Sequence, residues 1–119
     1  MEIRSHDAAD PFTTADGSII RSLLDRSNAP VANQSLAEAT IGPGETTDRH
    51  FHRESEEFYY LVEGSGEIEV GGERARVAAG DAVLIPPGAW HLIRADDAGP
   101  LRLLCACSPP YRDEDTFFS

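Results

Sequence analysis

Apolar and polar positions alternate along most of the chain in runs too short for a helix, and glycine and proline punctuate the runs. The stretch "EIEVGGERARV" is two alternating runs joined by Gly71 and Gly72. Two glycines at that place supply the positive φ angles of a primed hairpin turn, so a hairpin is predicted there. "NQSLAEATI" sets Ala37, Ala39 and Ile41 against Leu36, Glu38 and Thr40, then meets the turn signal Gly42-Pro43-Gly44, which predicts a strand ending near Gly42. "GDAVLIPPGAWHLI" reads as an apolar strand, a Pro86-Pro87-Gly88 turn and a further strand through His91, and "PLRLLCACS" closes the series. "SIIRSLLD" is too short for its period to decide and is read as a strand. Short runs at this spacing predict an antiparallel all-β sandwich or barrel over residues 17–108. Residues 1–16 show no sustained period and read as an irregular arm. Residues 109–119, "PPYRDEDTFFS", read as a proline-punctuated acidic tail laid over the barrel surface.

A length of 119 residues gives room for one core and hence one domain. The formal net charge of -11 repels phosphate backbones and anionic lipid surfaces, so neither nucleic acid nor membrane is an expected partner. All ten basic residues are arginine, which removes Schiff-base chemistry and any lysine base. The first residues are charged and lack the apolar segment of a signal peptide, and no apolar run reaches the length of a membrane span, so a cytoplasmic location is expected. Cys105 and Cys107 are too close for an easy unstrained bridge. They read as reduced, small core residues on the face shared by Leu101 and Leu103.

Candidate chemistry concentrates in "HFHRESEEFYY". Side chains two apart on a strand share a face, so His50 and His52 project together. Glu57 has the opposite parity and joins them only if the chain turns at "RESE" and returns as the neighbouring strand. His91 has a comparable strand setting past the Pro-Gly turn. Three imidazole nitrogens and one carboxylate suit a divalent transition metal such as iron, manganese, nickel, zinc or copper, whereas calcium and magnesium prefer shells made wholly of oxygen. Four protein ligands would leave two positions open for water or substrate. His6, in the arm, reads as a solvated histidine.

Two spaced motifs make the chain resemble the cupin superfamily. The first is matched by Gly44, His50, His52, Glu57 and Gly64, the second by Gly80, Pro86, Gly88 and His91. The family asparagine that ends the second motif is replaced by Ala95. The resemblance implies a double-stranded β-helix, or jelly-roll barrel, with His50, His52, Glu57 and His91 as inward metal ligands beneath an open pocket. Tyr59 shares the parity of Glu57, so its phenol is the candidate catalytic acid or base. Arg49, Arg53 and Arg94 point away from the ligand face, and the side taken by Arg21 and Arg102 is open. Tyr111 is placed either across one barrel mouth or in solvent. Phe51, Phe58 and Tyr60 face outward, which together with the resemblance suggests a homodimer. The expected function is a metal-dependent enzyme on a small polar organic substrate, either a dioxygenase or an isomerase, epimerase or lyase. The alternatives are a non-catalytic small-molecule binding or sensor module and a structural dimer with an incidental metal.

Overall fold

Eleven strands build two facing antiparallel sheets in the computed structural model, which describes residues 1–119. They are β1 (Phe12–Thr13), β2 (Ile19–Leu24), β3 (Ser35–Ile41), β4 (His50–His52), β5 (Glu56–Glu63), β6 (Ser65–Val70), β7 (Glu73–Ala78), β8 (Ala82–Ile85), β9 (His91–Ala95), β10 (Leu101–Ser108) and β11 (Thr116–Phe118). One sheet has the order β1-β2-β3-β10-β5-β8 and the other β11-β4-β9-β6-β7. From β3 onward the chain passes back and forth between the sheets, and the only hairpin within one sheet is β6–β7. That hairpin turns at Gly71 and Gly72, whose φ angles of 58° and 87° are the positive values the turn needs. The molecule is thus an all-β jelly-roll barrel. Its helical content is two single 3-10 turns, and no helix is long and apolar enough to cross a membrane.

Strand parity settles which side chains face inward. Along β5, Glu57, Tyr59 and Leu61 are buried while Glu56, Phe58 and Tyr60 are exposed. The same alternation buries His91, Ile93 and Ala95 on β9, and Leu101, Leu103 and Cys107 on β10. Leu61, Ile85, Ile93, Leu101 and Leu103 form the most enclosed part of the core. Leu61 has no exposed surface. Leu61→Ala should therefore lower unfolding stability by about 2–5 kcal/mol, read by chemical denaturation of the metal-free protein.

One local expectation fails for a reason of topology. The "RESE" segment does not return β5 beside β4: the two strands lie in opposite sheets, β4 paired with β9 and β11, β5 with β8 and β10. Glu57 meets the histidines across the barrel interior and not along one sheet. The expected division at residues 16 and 108 follows sequence pattern, but the sheets extend past it on both sides. In the arm, Phe12 and Thr13 pair with Ile20 and Ile19. His6 is exposed, as expected, and also bonds the buried Glu38 carboxylate at 2.7 Å. Arg21 fixes the same segment by donating to the carbonyls of His6 and Ala9. In the tail, β11 pairs with β4 through Thr116–His52 and Phe118–His50. The Asp115 carboxylate accepts the backbone N–H groups of Glu54 and Ser55, tying the tail to the turn that follows the histidines.

Candidate metal centre

His50 and His52 come from β4 and His91 from β9, where His50 and His91 are a cross-strand pair. All three are buried. Their ring centroids lie 4.2 Å apart for His50–His91, 5.1 Å for His50–His52 and 5.5 Å for His52–His91. One ligand nitrogen from each falls within 4.8 Å of the others, a group that could hold a metal ion.

The outer nitrogens are already committed. His50 Nδ1 lies 2.8 Å from the Asp48 carbonyl and His91 Nδ1 3.0 Å from the Ala89 carbonyl. A carbonyl only accepts, so both Nδ1 atoms carry the proton and leave the Nε2 lone pairs free. His52 Nδ1 lies 3.2 Å from the Thr116 hydroxyl, whose own proton goes to the Arg112 carbonyl. The same tautomer follows. Orienting partners of this kind fix imidazole ligands in metal sites.

Glu57 approaches the three histidines from the opposite sheet. Its Oε1 lies 3.4 Å from Nε2 of both His52 and His91. Glu57 Oε1 and His91 Nε2 are the two buried polar side-chain atoms of the protein with no hydrogen-bond partner. An orphaned buried polar atom costs about 1–3 kcal/mol, and two of them aimed at one space fit a divalent cation. Burial works to raise the Glu57 pKa, but the neighbouring His52 and His91 prevail and hold the carboxyl at about 2. Burial works to lower the His52 pKa, and Glu57 outweighs it to give a net rise. Burial, helped by the charge of His91, lowers that of His50.

A cavity of about 690 Å³ is lined by His50, His52 and Glu57. Ile20, Ala39, Ile41, Ile93 and Leu103 form apolar walls, and Asp16, Asp25, Asp113 and Glu114 are among the polar lining groups. Tyr59 is buried on the same face, its ring 6.1 Å from that of His91, and burial keeps its phenol pKa well above the ordinary 10.0. Tyr111 borders the cavity with its ring 5.8 Å from that of His52 and is partly exposed, so it stands across the mouth. Neither arginine of undetermined side enters: Arg21 holds the arm, and Arg102 pairs with Glu38 at 2.9 Å and Glu63 at 3.1 Å.

Three participants escaped the reading of the sequence. Thr116 reaches His52 through strand pairing across 64 residues, a separation that leaves no local signal. Phe118 lies 5.6 Å from the His50 ring for the same reason. Cys107, read as a core residue, is buried but sits beside the site, its Sγ 3.3 Å from Glu57 Oε2. Its inward parity was visible in the sequence, but the register that sets it opposite Glu57 was not.

The family described as Cupin domain matches residues 37–107, a segment that holds His50, His52, Glu57 and His91. The chain belongs to the cupin family. Among relatives of this cupin, the uncharacterized protein MJ1618 of Methanocaldococcus jannaschii is 43% identical over 111 residues, covering 93% of this chain and 89% of that one. The tetracenomycin polyketide synthase protein TcmJ of Streptomyces glaucescens is 31% identical over 93 residues, covering 78% of this cupin but 62% of its own length. Among solved structures, the polyketide cyclase RemF of Streptomyces resistomycificus superposes with a TM-score of 0.79 at 23% identity, covering 97% of this chain and 89% of that one. At that identity the likeness is one of fold.

Proposed function

We propose that this cupin is a metal-dependent enzyme acting on a small, uncharged, oxygen-bearing organic molecule by proton transfer. The observation that carries the reading is the convergence of the His50, His52 and His91 nitrogens with the unpartnered Glu57 Oε1, beside a cavity lined by His50, His52 and Glu57 and wide enough for a small substrate. A divalent transition metal held by these four residues would supply Lewis acidity toward a substrate oxygen.

The remaining chemistry belongs to the side chains. Tyr59 faces the same cavity with a phenol that burial keeps protonated, so Oη has a proton to give. The apolar walls exclude water and hold a carbon skeleton. Around the mouth, Asp16, Asp25, Asp113 and Glu114 outnumber the cations Arg26 and Arg112, and Arg112 is paired with Glu54 at 2.5 Å. That balance disfavours a phosphorylated or multiply carboxylated substrate, which usually needs bidentate arginine contacts. The Asp16 carboxylate is fixed by Thr14 and by the Ser18 hydroxyl and N–H, all on Oδ1, and offers an acceptor to a substrate hydroxyl. An apolar body with hydroxyl or keto oxygens also accords with a relative named for polyketide synthesis.

The test is anaerobic incubation of protein loaded in turn with iron, manganese, nickel, zinc and copper, with a panel of neutral hydroxyketones and phenolic polyketones. Isomerised, cyclised or dehydrated products support proton-transfer chemistry. Turnover that occurs only with consumption of dioxygen assigns a dioxygenase instead, and tight binding without product assigns a sensor. Metal affinity should also fall as pH drops, because protonated imidazole cannot ligate. His52, whose pKa is raised, meets proton competition at higher pH than His50, whose pKa is lowered. Metal titrations between pH 8 and pH 5 check this.

We also propose a homodimer through the outer face of the six-stranded sheet. Phe51 is not available for it, because Phe117 stacks on it at 5.1 Å and Trp90 packs edge-on at 4.6 Å. Phe58 and Leu84, directly paired across β5 and β8, remain 52% and 54% exposed beside Tyr60. The register continues the row through Ala106 to Leu36, giving an apolar ribbon across four strands. Sedimentation at micromolar concentration should give a dimer for the native chain and a monomer for Phe58→Glu.

A further inference from the structure

Glu57 has two cross-strand neighbours, Ile85 on β8 and Cys107 on β10. Ile85 has no polar atom, so the thiol is the one side chain of the pair that can donate a hydrogen bond. It does so: Cys107 Sγ lies 3.3 Å from Glu57 Oε2, and the other oxygen, Oε1, is left without a partner and turned toward Nε2 of His52 and His91. The division of labour between the two oxygens is what a single-oxygen carboxylate ligand needs. One oxygen is satisfied from behind, which fixes the rotation of the carboxylate plane, and the other faces the histidines.

The geometry points to Cys107 as the residue that positions Glu57 for metal binding, donating its S–H to Oε2 so that Oε1 is presented to the ion. The inference rests on the metal centre proposed above. Cys107 is a positioning residue and not a ligand, since its sulfur contacts the far side of the carboxylate. The neighbouring Cys105 supplies an internal control. It shares the inward face of β10 but stands opposite Tyr59 and has no hydrogen bond to any of the four proposed ligands. A thiol is a weak donor, but in a dry interior the loss of any donor to a buried carboxylate is felt. Removing partners of this kind typically weakens metal binding about 10- to 100-fold.

The experiment compares the native chain with Cys107→Ala, Cys107→Val, Cys107→Ser and Cys105→Ala, using zinc affinity by chelator competition and the visible spectrum of the cobalt(II)-loaded protein. Alanine and valine remove the donor at smaller and similar bulk, while serine restores an O–H donor. Affinity should fall about 10- to 100-fold in Cys107→Ala and Cys107→Val with a shifted cobalt spectrum. Cys107→Ser should recover most of the affinity and Cys105→Ala should match the native chain. Native-like affinity and spectrum in Cys107→Ala or Cys107→Val would overturn the inference while leaving the metal centre intact. Equal weakening in Cys107→Ala and Cys105→Ala would overturn it too, by showing that packing alone is at stake. A native chain that binds neither zinc nor cobalt overturns this inference together with the reading it rests on.

Discussion

His50→Ala and His91→Ala should each weaken transition-metal binding by more than the roughly 100-fold that bounds the loss of an outer partner. The expectation comes from how completely the two imidazoles are committed. Their Nδ1 protons are held by the carbonyls of Asp48 and Ala89, so each ring can present only Nε2 to the cavity, and no other nitrogen lies behind it to take over. Both side chains are buried, so the gap left by alanine is closed to any exposed substitute. Thermal unfolding gives an independent readout. A metal that binds only the folded chain stabilises it by about 2.7 kcal/mol at one hundred times its dissociation constant. Metal should therefore raise the melting temperature of the native chain by several degrees and leave both variants where they were. If either variant retains full metal content after purification, the four-residue centre is wrong.

Tyr59→Phe is expected to separate chemistry from metal binding. The substitution keeps the ring that packs 6.1 Å from His91 and removes only the phenolic proton. Metal content and fold should stay native, while turnover of an identified substrate drops about 10²- to 10⁴-fold, the range for loss of one general acid or base. Burial raises the phenol pKa well above 10.0, so the native pH-rate profile should show no limb from Tyr59 near neutrality. A Tyr59→Phe enzyme as active as the native one would return this residue to the core, where aromatic packing accounts for it fully.

Much of the architecture was legible because alternation with period two reports directly which side of a strand is buried. Glu57, Tyr59 and Leu61 against Glu56, Phe58 and Tyr60 is such a pattern, and β5 obeys it from Glu56 to Leu61. The glycine pair at 71 and 72 was equally readable, since few sequences satisfy two successive positive φ angles. What alternation does not carry is partnership. β4 is three residues long, too short to announce that its neighbours are β9 and the distant β11, and adjacency in sequence points wrongly to β5. The tail's Thr116 and Phe117 have no period of their own, yet one orients His52 and the other covers Phe51. The contact of the exposed His6 with Glu38, on the outer face of β3, has no local signal either. The candidate site was readable as a set of residue types with the right parity. The register that places Cys107 behind Glu57 emerged only from the folded sheets.

The most direct measurement of the central claim is anomalous X-ray scattering from crystals of protein purified without added metal, recorded at the absorption edges of iron, manganese, nickel, copper and zinc. One peak is expected in the barrel, within about 2.0–2.2 Å of the three histidine Nε2 atoms and Glu57 Oε1. Well-ordered His50, His52, Glu57 and His91 side chains with no anomalous peak between them, in native crystals and after soaking with each metal, would contradict it.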